Sequence, residues 1–236
     1  MGDPSNYSIP QHIAFIPDGN RRWAKARAMP VLAGYKEGYN ALKRVISSLL
    51  KYKVKYATFF AFSIENENRP KQEVDYLVAL FFSIFNDATD FFMEHGIRVR
   101  IIGNSERWRP SLKKSIEKIQ EETKNNDVLT IIGAVSYSGH DEIVRATKKI
   151  ISDVKNGKLD ENCIDESVFS SYLDCPDVPF PDLLVRTSEQ RISNYLLWQL
   201  AYSEIIWVDK FWPDFGDEDT NKVIQNFSKR QRRYGK

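Results

Sequence analysis

Apolar residues in this chain fall into short unbroken runs, and the stretches between them carry helical spacing. Residues 12–16 form the first run and read as a buried strand. Residues 56–62, 97–102, 129–135, 182–185 and 204–208 read the same way. Between them, residues 35–52 place Leu42, Val45, Ile46, Leu49 and Leu50 on one side of a helix. Pro70 suits a first helical turn and opens a long helical stretch that Gly96 stops after about His95. Residues 110–123 and 141–154 are predicted helices. A further helix is expected near residues 196–202, and the charged segment from Asp217 also reads as helical.

Strands alternating with helices predict an α/β fold with a central, mostly parallel six-stranded sheet flanked by helices. The 236 residues suit a single domain spanning 1–236, with 1–10 expected to be flexible. Ligands of such sheets bind beyond the carboxyl ends of the strands. That rule directs attention to three segments, those following residues 16, 62 and 185.

The first is Pro17-Asp18-Gly19-Asn20-Arg21-Arg22-Trp23. Gly19 permits a tight turn, Asn20 can cap a following helix, and the helix start plus two arginines can take a phosphate. Asp18 can hold a magnesium ion bridging such a group. A capped surface helix with Asp18 in a salt bridge explains the same residues equally well. The second segment, from Ser63 to Arg69, reads equally as a site loop or as an ordinary capped loop. The third, from Arg186 to Asn194, has two arginines five apart with hydroxyls between them, which suits a second diphosphate, although such a loop alone is more often salt-bridged than a site. Three basic loops at strand ends are harder to dismiss together than singly.

The net charge of +2 gives no bulk attraction for polyanions, although basic residues cluster at 21–27 and 229–236. The chain lacks G-x-x-x-x-G-K-[ST] and G-x-G-x-x-G, which disfavours a nucleotide fold. His12, His95 and His140 lack metal spacing and read as structural. Cys163 and Cys175 form no C-x-x-C pair, and the polar start has no signal-like apolar core. A cytoplasmic setting is expected. No stretch approaches the roughly 20 apolar residues of a membrane span, so any membrane association is peripheral.

These loops resemble those of the cis-prenyltransferase family, also called the undecaprenyl diphosphate synthase family, over nearly the whole chain. The motifs are His12 to Trp23 (HIAFIPDGNRRW), Phe62 to Pro70 (FSIENENRP), Arg98 to Gly103, and Arg186 to Gln199 running into Ala201 to Glu204. Trp212 to Phe215 and the closing Arg233-Tyr234-Gly235 also match. The resemblance implies magnesium-dependent condensation of isopentenyl diphosphate with an allylic prenyl diphosphate to a Z-polyprenyl diphosphate. It implies that Asp18 binds magnesium, with Glu204 helping, and that Ser63 and Asn66 lie at the reacting centre. Gly19, Asn20, Arg21, Arg22, Trp23, Tyr35 and Arg69 are then expected around the allylic diphosphate. Arg186, Arg191 and Ser193 are expected around isopentenyl diphosphate, joined by Arg233 and Gly235 from a partner subunit, so a homodimer follows. A hydrophobic tunnel is expected along Ala61, Leu77, Leu80, Phe81 and Leu129, with Ile84, Phe85 and Ile131 nearby. Tyr76, Phe81 and Phe82 are expected to shorten it.

The chain has no Asp-Asp pair, unlike the trans-prenyltransferases, whose paired motifs are DDxxD. It departs from the family's pattern at Val31 (usually arginine), Tyr35 (histidine), Glu67 (tryptophan) and Ser136 (asparagine). The stretch from Arg186 to Arg191 lacks a glycine. These departures keep open an atypical enzyme using dimethylallyl diphosphate as acceptor. Two further alternatives are a non-catalytic partner subunit, disfavoured by the intact loops, and a polyanion-binding module. Neither nucleic-acid binding nor a nucleotide cofactor is expected.

Overall fold

The structure is a computed structural model that describes residues 7–232, with the side chains of Phe82, Ile84, Phe85, Asn86 and Asp87 excepted. Arg233 and Gly235 lie outside the described residues, as do the side chains of Phe82, Ile84 and Phe85.

Six strands form one sheet: β1 (His12–Ile16), β2 (Tyr56–Ser63), β3 (Ile97–Ile102), β4 (Leu129–Tyr137), β5 (Leu183–Thr187) and β6 (Glu204–Val208). Their order is β3-β4-β2-β1-β5-β6, and every pairing is parallel. β1 is buried at all five positions because it has a neighbour strand on each side, helices over the face of Ile13 and Phe15, and the turns around Val178 and residues 195–200 over the face of Ala14 and Ile16. That explains its unbroken apolar run. The chain lays β2, β3 and β4 on one side of β1 and then crosses to the other side for β5 and β6, so the crevice above β1 is the switch point of the sheet.

Eight α-helices surround the sheet among the described residues: α1 (Asn20–Ala26), α2 (Val31–Lys51), α3 (Lys71–Asp87), α4 (Thr89–Glu94), α5 (Pro110–Glu122), α6 (Gly139–Lys155), α7 (Glu166–Ser171) and α8 (Asp217–Ser228). The larger core lies between one face of the sheet and α2, α3, α5 and α8. Ile13, Phe15, Leu49, Leu129, Leu183 and Phe215 are all within it, each almost wholly inaccessible. Phe15 stacks on Phe59 with ring centroids 4.9 Å apart, and Trp212 meets both edgewise.

Several elements differ from expectation. The α2 helix begins four residues early, directly after Pro30, whose extended conformation starts it. The long helix expected to reach His95 is broken at Ala88 into α3 and α4. No helix forms over residues 196–202. Ser193, Asn194 and Leu196 adopt left-handed φ values of 50°, 60° and 44°, so the chain turns repeatedly instead. Of the 1–10 segment expected to be flexible, residues 1–6 lie outside the described residues. Tyr7 and Ile9 pack on the core, and Gln225 donates to the Tyr7 hydroxyl at 3.0 Å.

Candidate active site

Beyond the carboxyl ends of β1, β2 and β5 opens a cavity of about 1220 Å³. Its mouth is polar and its depth apolar. The mouth takes Asp18, Arg21, Arg22, Arg69, Arg186, Arg191 and Ser193 from the first turn of α1, the end of β5 and the segments that follow β1, β2 and β5. The depth takes Leu42, Phe59, Phe60, Ala61, Leu77, Leu80 and Phe81 from β2, α2 and α3.

Asp18 is held from all sides. Its N–H donates to the Thr187 hydroxyl at 3.0 Å, and that hydroxyl donates to the Asp18 carbonyl at 2.7 Å. The Trp212 N–H donates to the same carbonyl at 2.9 Å. Gly19 makes the turn that follows, with φ at 103°, and an added Cβ would stand 2.7 Å from both Phe211 and Ser188. Gly19 therefore precedes α1, and Asn20 is its first residue rather than a side-chain cap.

The Asp18 carboxylate accepts from the Gly19 N–H at 2.6 Å, from Arg22 at 3.1 Å and from Arg186 at 2.9 Å. Partial burial pushes its pKa up, but the bond and charge of Arg186, with Arg22 and the Gly19 amide, outweigh burial. The net pKa is below the usual carboxylate value. Asp18 is thus an anion throughout the physiological range. Arg186 is 3% exposed and also donates to the Arg191 carbonyl and, at 2.6 Å, to Ser193 Oγ. Left-handed φ values at Ser188, Ser193 and Asn194 fold this loop back over the cavity.

A second polar knot joins α2 to α3. Glu73 is 8% exposed and accepts from the Tyr35 hydroxyl at 2.5 Å and from Arg69 at 3.3 Å. Arg69 also donates to the Tyr35 oxygen at 2.8 Å, and Arg21 approaches Glu73 within 3.7 Å. Burial, then donation to Glu73, pushes the Tyr35 phenol well above its ordinary pKa. Ser63 and Asn66 form a reciprocal cap, each side chain taking the other's backbone N–H at 3.2 Å.

Of the expected site residues, Gly19, Asn20, Tyr35, Ser63 and Asn66 line this cavity with the arginines, Asp18 and Ser193. Ala61, Leu77, Leu80 and Phe81 line its apolar depth. Others lie elsewhere. Trp23 faces away, donating to Asp214 at 2.7 Å with Arg27 stacked 4.4 Å over its ring. Leu129 is the first residue of β4, buried at the opposite end of the sheet. Ile131 is likewise core, and Tyr76 packs toward Tyr35 with ring centroids 6.5 Å apart, outside the cavity lining.

Glu204 opens β6 and is level with Leu183 and Ile13, at the amino ends of the strands. Asp18 lies beyond Ile16, about 10 Å or more along the strands and two strand spacings across. Glu204 pairs with Arg230 at 2.6 Å and cannot share a metal with the Asp18 of its own chain. Lys25, Met29, Glu65 and Glu189 line the cavity without having been singled out. Glu189 has the plainest signal in hindsight, a carboxylate between two arginines of a basic loop.

The architecture has close relatives. The family model described as "Putative undecaprenyl diphosphate synthase" matches residues 16–235. An isoprenyl transferase of Thermotoga maritima is 43% identical over 228 residues, covering 96% of this chain and 97% of the relative. A ditrans,polycis-undecaprenyl-diphosphate synthase ((2E,6E)-farnesyl-diphosphate specific) of Legionella pneumophila is 41% identical over 98% of this chain and 97% of its own length. The lavandulyl diphosphate synthase of Lavandula x intermedia, solved with dimethylallyl diphosphate, superposes with a TM-score of 0.93 at 35% identity, covering 97% of this chain and 99% of that one. The chain belongs to the undecaprenyl diphosphate synthase family of cis-prenyltransferases and is a prenyltransferase enzyme.

Proposed function

We propose that the enzyme condenses isopentenyl diphosphate with an allylic prenyl diphosphate, such as farnesyl or geranylgeranyl diphosphate, into a Z-polyprenyl diphosphate. The observation that carries this reading is the Asp18 carboxylate, ringed by arginines at the mouth of an apolar cavity. Cations suit two diphosphate heads, and the apolar depth suits a prenyl tail.

Asp18 fits magnesium. It stays ionised, and magnesium takes one or two carboxylates with substrate phosphates and water. Among the described residues no cluster of three or more acidic, histidine or cysteine ligands competes as a metal site. When bound there, magnesium supplies Lewis-acid stabilisation of the departing diphosphate. Arg21, Arg22 and Arg69 bind and orient the allylic diphosphate and stabilise its charge as the allylic C–O bond breaks. Arg186, Arg191 and Ser193 hold isopentenyl diphosphate so that its double bond faces the allylic carbon. Ser63 and Asn66 line the same cavity, their positions fixed by their mutual cap.

The far end of the sheet supports a homodimer. Arg232 pairs with Asp182 there, away from its own cavity, and is followed in sequence by Arg233 and Gly235. Those residues and Glu204 are then offered to a partner's site.

The test is condensation of labelled isopentenyl diphosphate with farnesyl diphosphate and magnesium. Expected are elongated products that vanish in Asp18→Ala and on chelation of the metal. No product with any allylic partner sinks the reading. A second reading has dimethylallyl diphosphate as acceptor, and the close superposition on the lavandulyl diphosphate synthase favours keeping it. The same assay with dimethylallyl diphosphate alone separates the two.

A further inference from the structure

Glu189 follows β5 in the turn whose backbone is pinned by its own N–H on the Thr187 carbonyl at 2.9 Å. One carboxylate oxygen takes a hydrogen bond from Arg22, and the other takes one from Arg191 at 2.8 Å. Under the functional reading above, on which this inference rests, Arg22 belongs to the allylic diphosphate and Arg191 to the second one. Glu189 is thus a single anion shared between the cations of two subsites.

We propose that Glu189 couples the two diphosphate subsites. It is a positioning residue, a built-in anion that stands where substrate phosphate will compete for both arginines. A diphosphate arriving at Arg22 displaces one oxygen, and its negative charge repels the carboxylate that remains. The side chain is 30% exposed and has a path into solvent. Its departure also frees Arg191, so the first ligand removes an obstacle for the second. Linkage makes the effect reciprocal. The size is modest, because the displaced pairs are partly exposed: a factor of about two to five in affinity.

The measurement is calorimetric binding of isopentenyl diphosphate with magnesium, in the presence and absence of saturating, unreactive farnesyl thiodiphosphate. In the wild type the analogue is expected to tighten isopentenyl diphosphate binding by that factor. In Glu189→Gln the ligand binds tightly with or without the analogue, and the coupling factor falls to about one. Glu189→Asp keeps the charge but is one methylene too short to hold both arginines, so it also loses the coupling. The proposal is overturned if the coupling factor is unchanged in both variants. It is equally overturned if Glu189→Gln alone weakens binding, which would make Glu189 a mere support for Arg191. Wild-type protein that binds neither ligand overturns the functional reading as well, which distinguishes the two failures.

Discussion

The ring of His12, the first residue of β1, is buried. Its Nδ1 donates to the Pro179 carbonyl at 2.6 Å, and its Nε2 accepts from the Thr58 hydroxyl at 2.7 Å. Burial, opposed by the Pro179 bond and the charge of Asp182, lowers its pKa to about 4. The unfolded chain takes up a proton near pH 6.5 that the folded chain refuses. The stabilisation is therefore full above about pH 6.5 and is lost as pH falls toward 4, reaching about 3 kcal/mol. Urea unfolding across that range should show this loss, and His12→Gln should flatten it. The sequence showed His12 as structural, and it equally showed Asp18, Arg22, Arg186 and Arg191, because their loops crowd like residues together. It hid Glu73, whose partners Tyr35 and Arg21 come from other helices, and it assigned Trp23 to the site because neighbours in sequence need not share a face.

Among the elements, α1 and α2 meet more closely than side chains permit. A Cβ on Gly34 would stand 2.1 Å from the Asn20 carbonyl oxygen, and one on Gly38 would stand 2.3 Å from the Asn20 side-chain oxygen. Gly34→Ala must push α2 away from backbone rather than from a movable side-chain tip. We expect a loss of about 1–3 kcal/mol in stability. A raised KM for the allylic substrate should accompany it, because Asn20 and Tyr35 line the cavity. Steady-state kinetics beside urea unfolding tests both. Every strand was legible from its apolar run. The turns at 193–196 were not, because nothing in Leu196 announces a left-handed backbone. Nor was α7, six residues long and started by the Asp165 side chain taking the Val168 N–H. The break at Ala88 was masked by apolar residues that continue on both sides of it.

At the scale of the molecule, the two ends of the sheet divide the labour. The carboxyl ends carry the cavity, and the amino ends carry the Glu204–Arg230 and Asp182–Arg232 pairs. If the proposed dimer completes each site with a partner's tail, two broken chains should repair one another. Asp18→Ala supplies a sound tail, and a chain ending at Arg232 supplies a sound cavity. Co-refolded, they are expected to exceed the activity of either alone, and a mixture no better than its parts removes the shared site. This division was only half legible. The rule for parallel sheets located the cavity, but it could not tell that Glu204 begins its strand at the wrong end to join Asp18.

The fastening of Asp18 by Thr187 and Trp212 also has a meaning in time. Asp18 is made early, yet the hydroxyl that locks it is 169 residues further along the chain, and the amide of Trp212 comes later still. The central strand gains its second neighbour only when β5 exists. Pairings so distant in sequence form slowly, after local helices. A growing or refolding chain will therefore show most of its helix signal while it is still inert, and catalysis should be the last property to return.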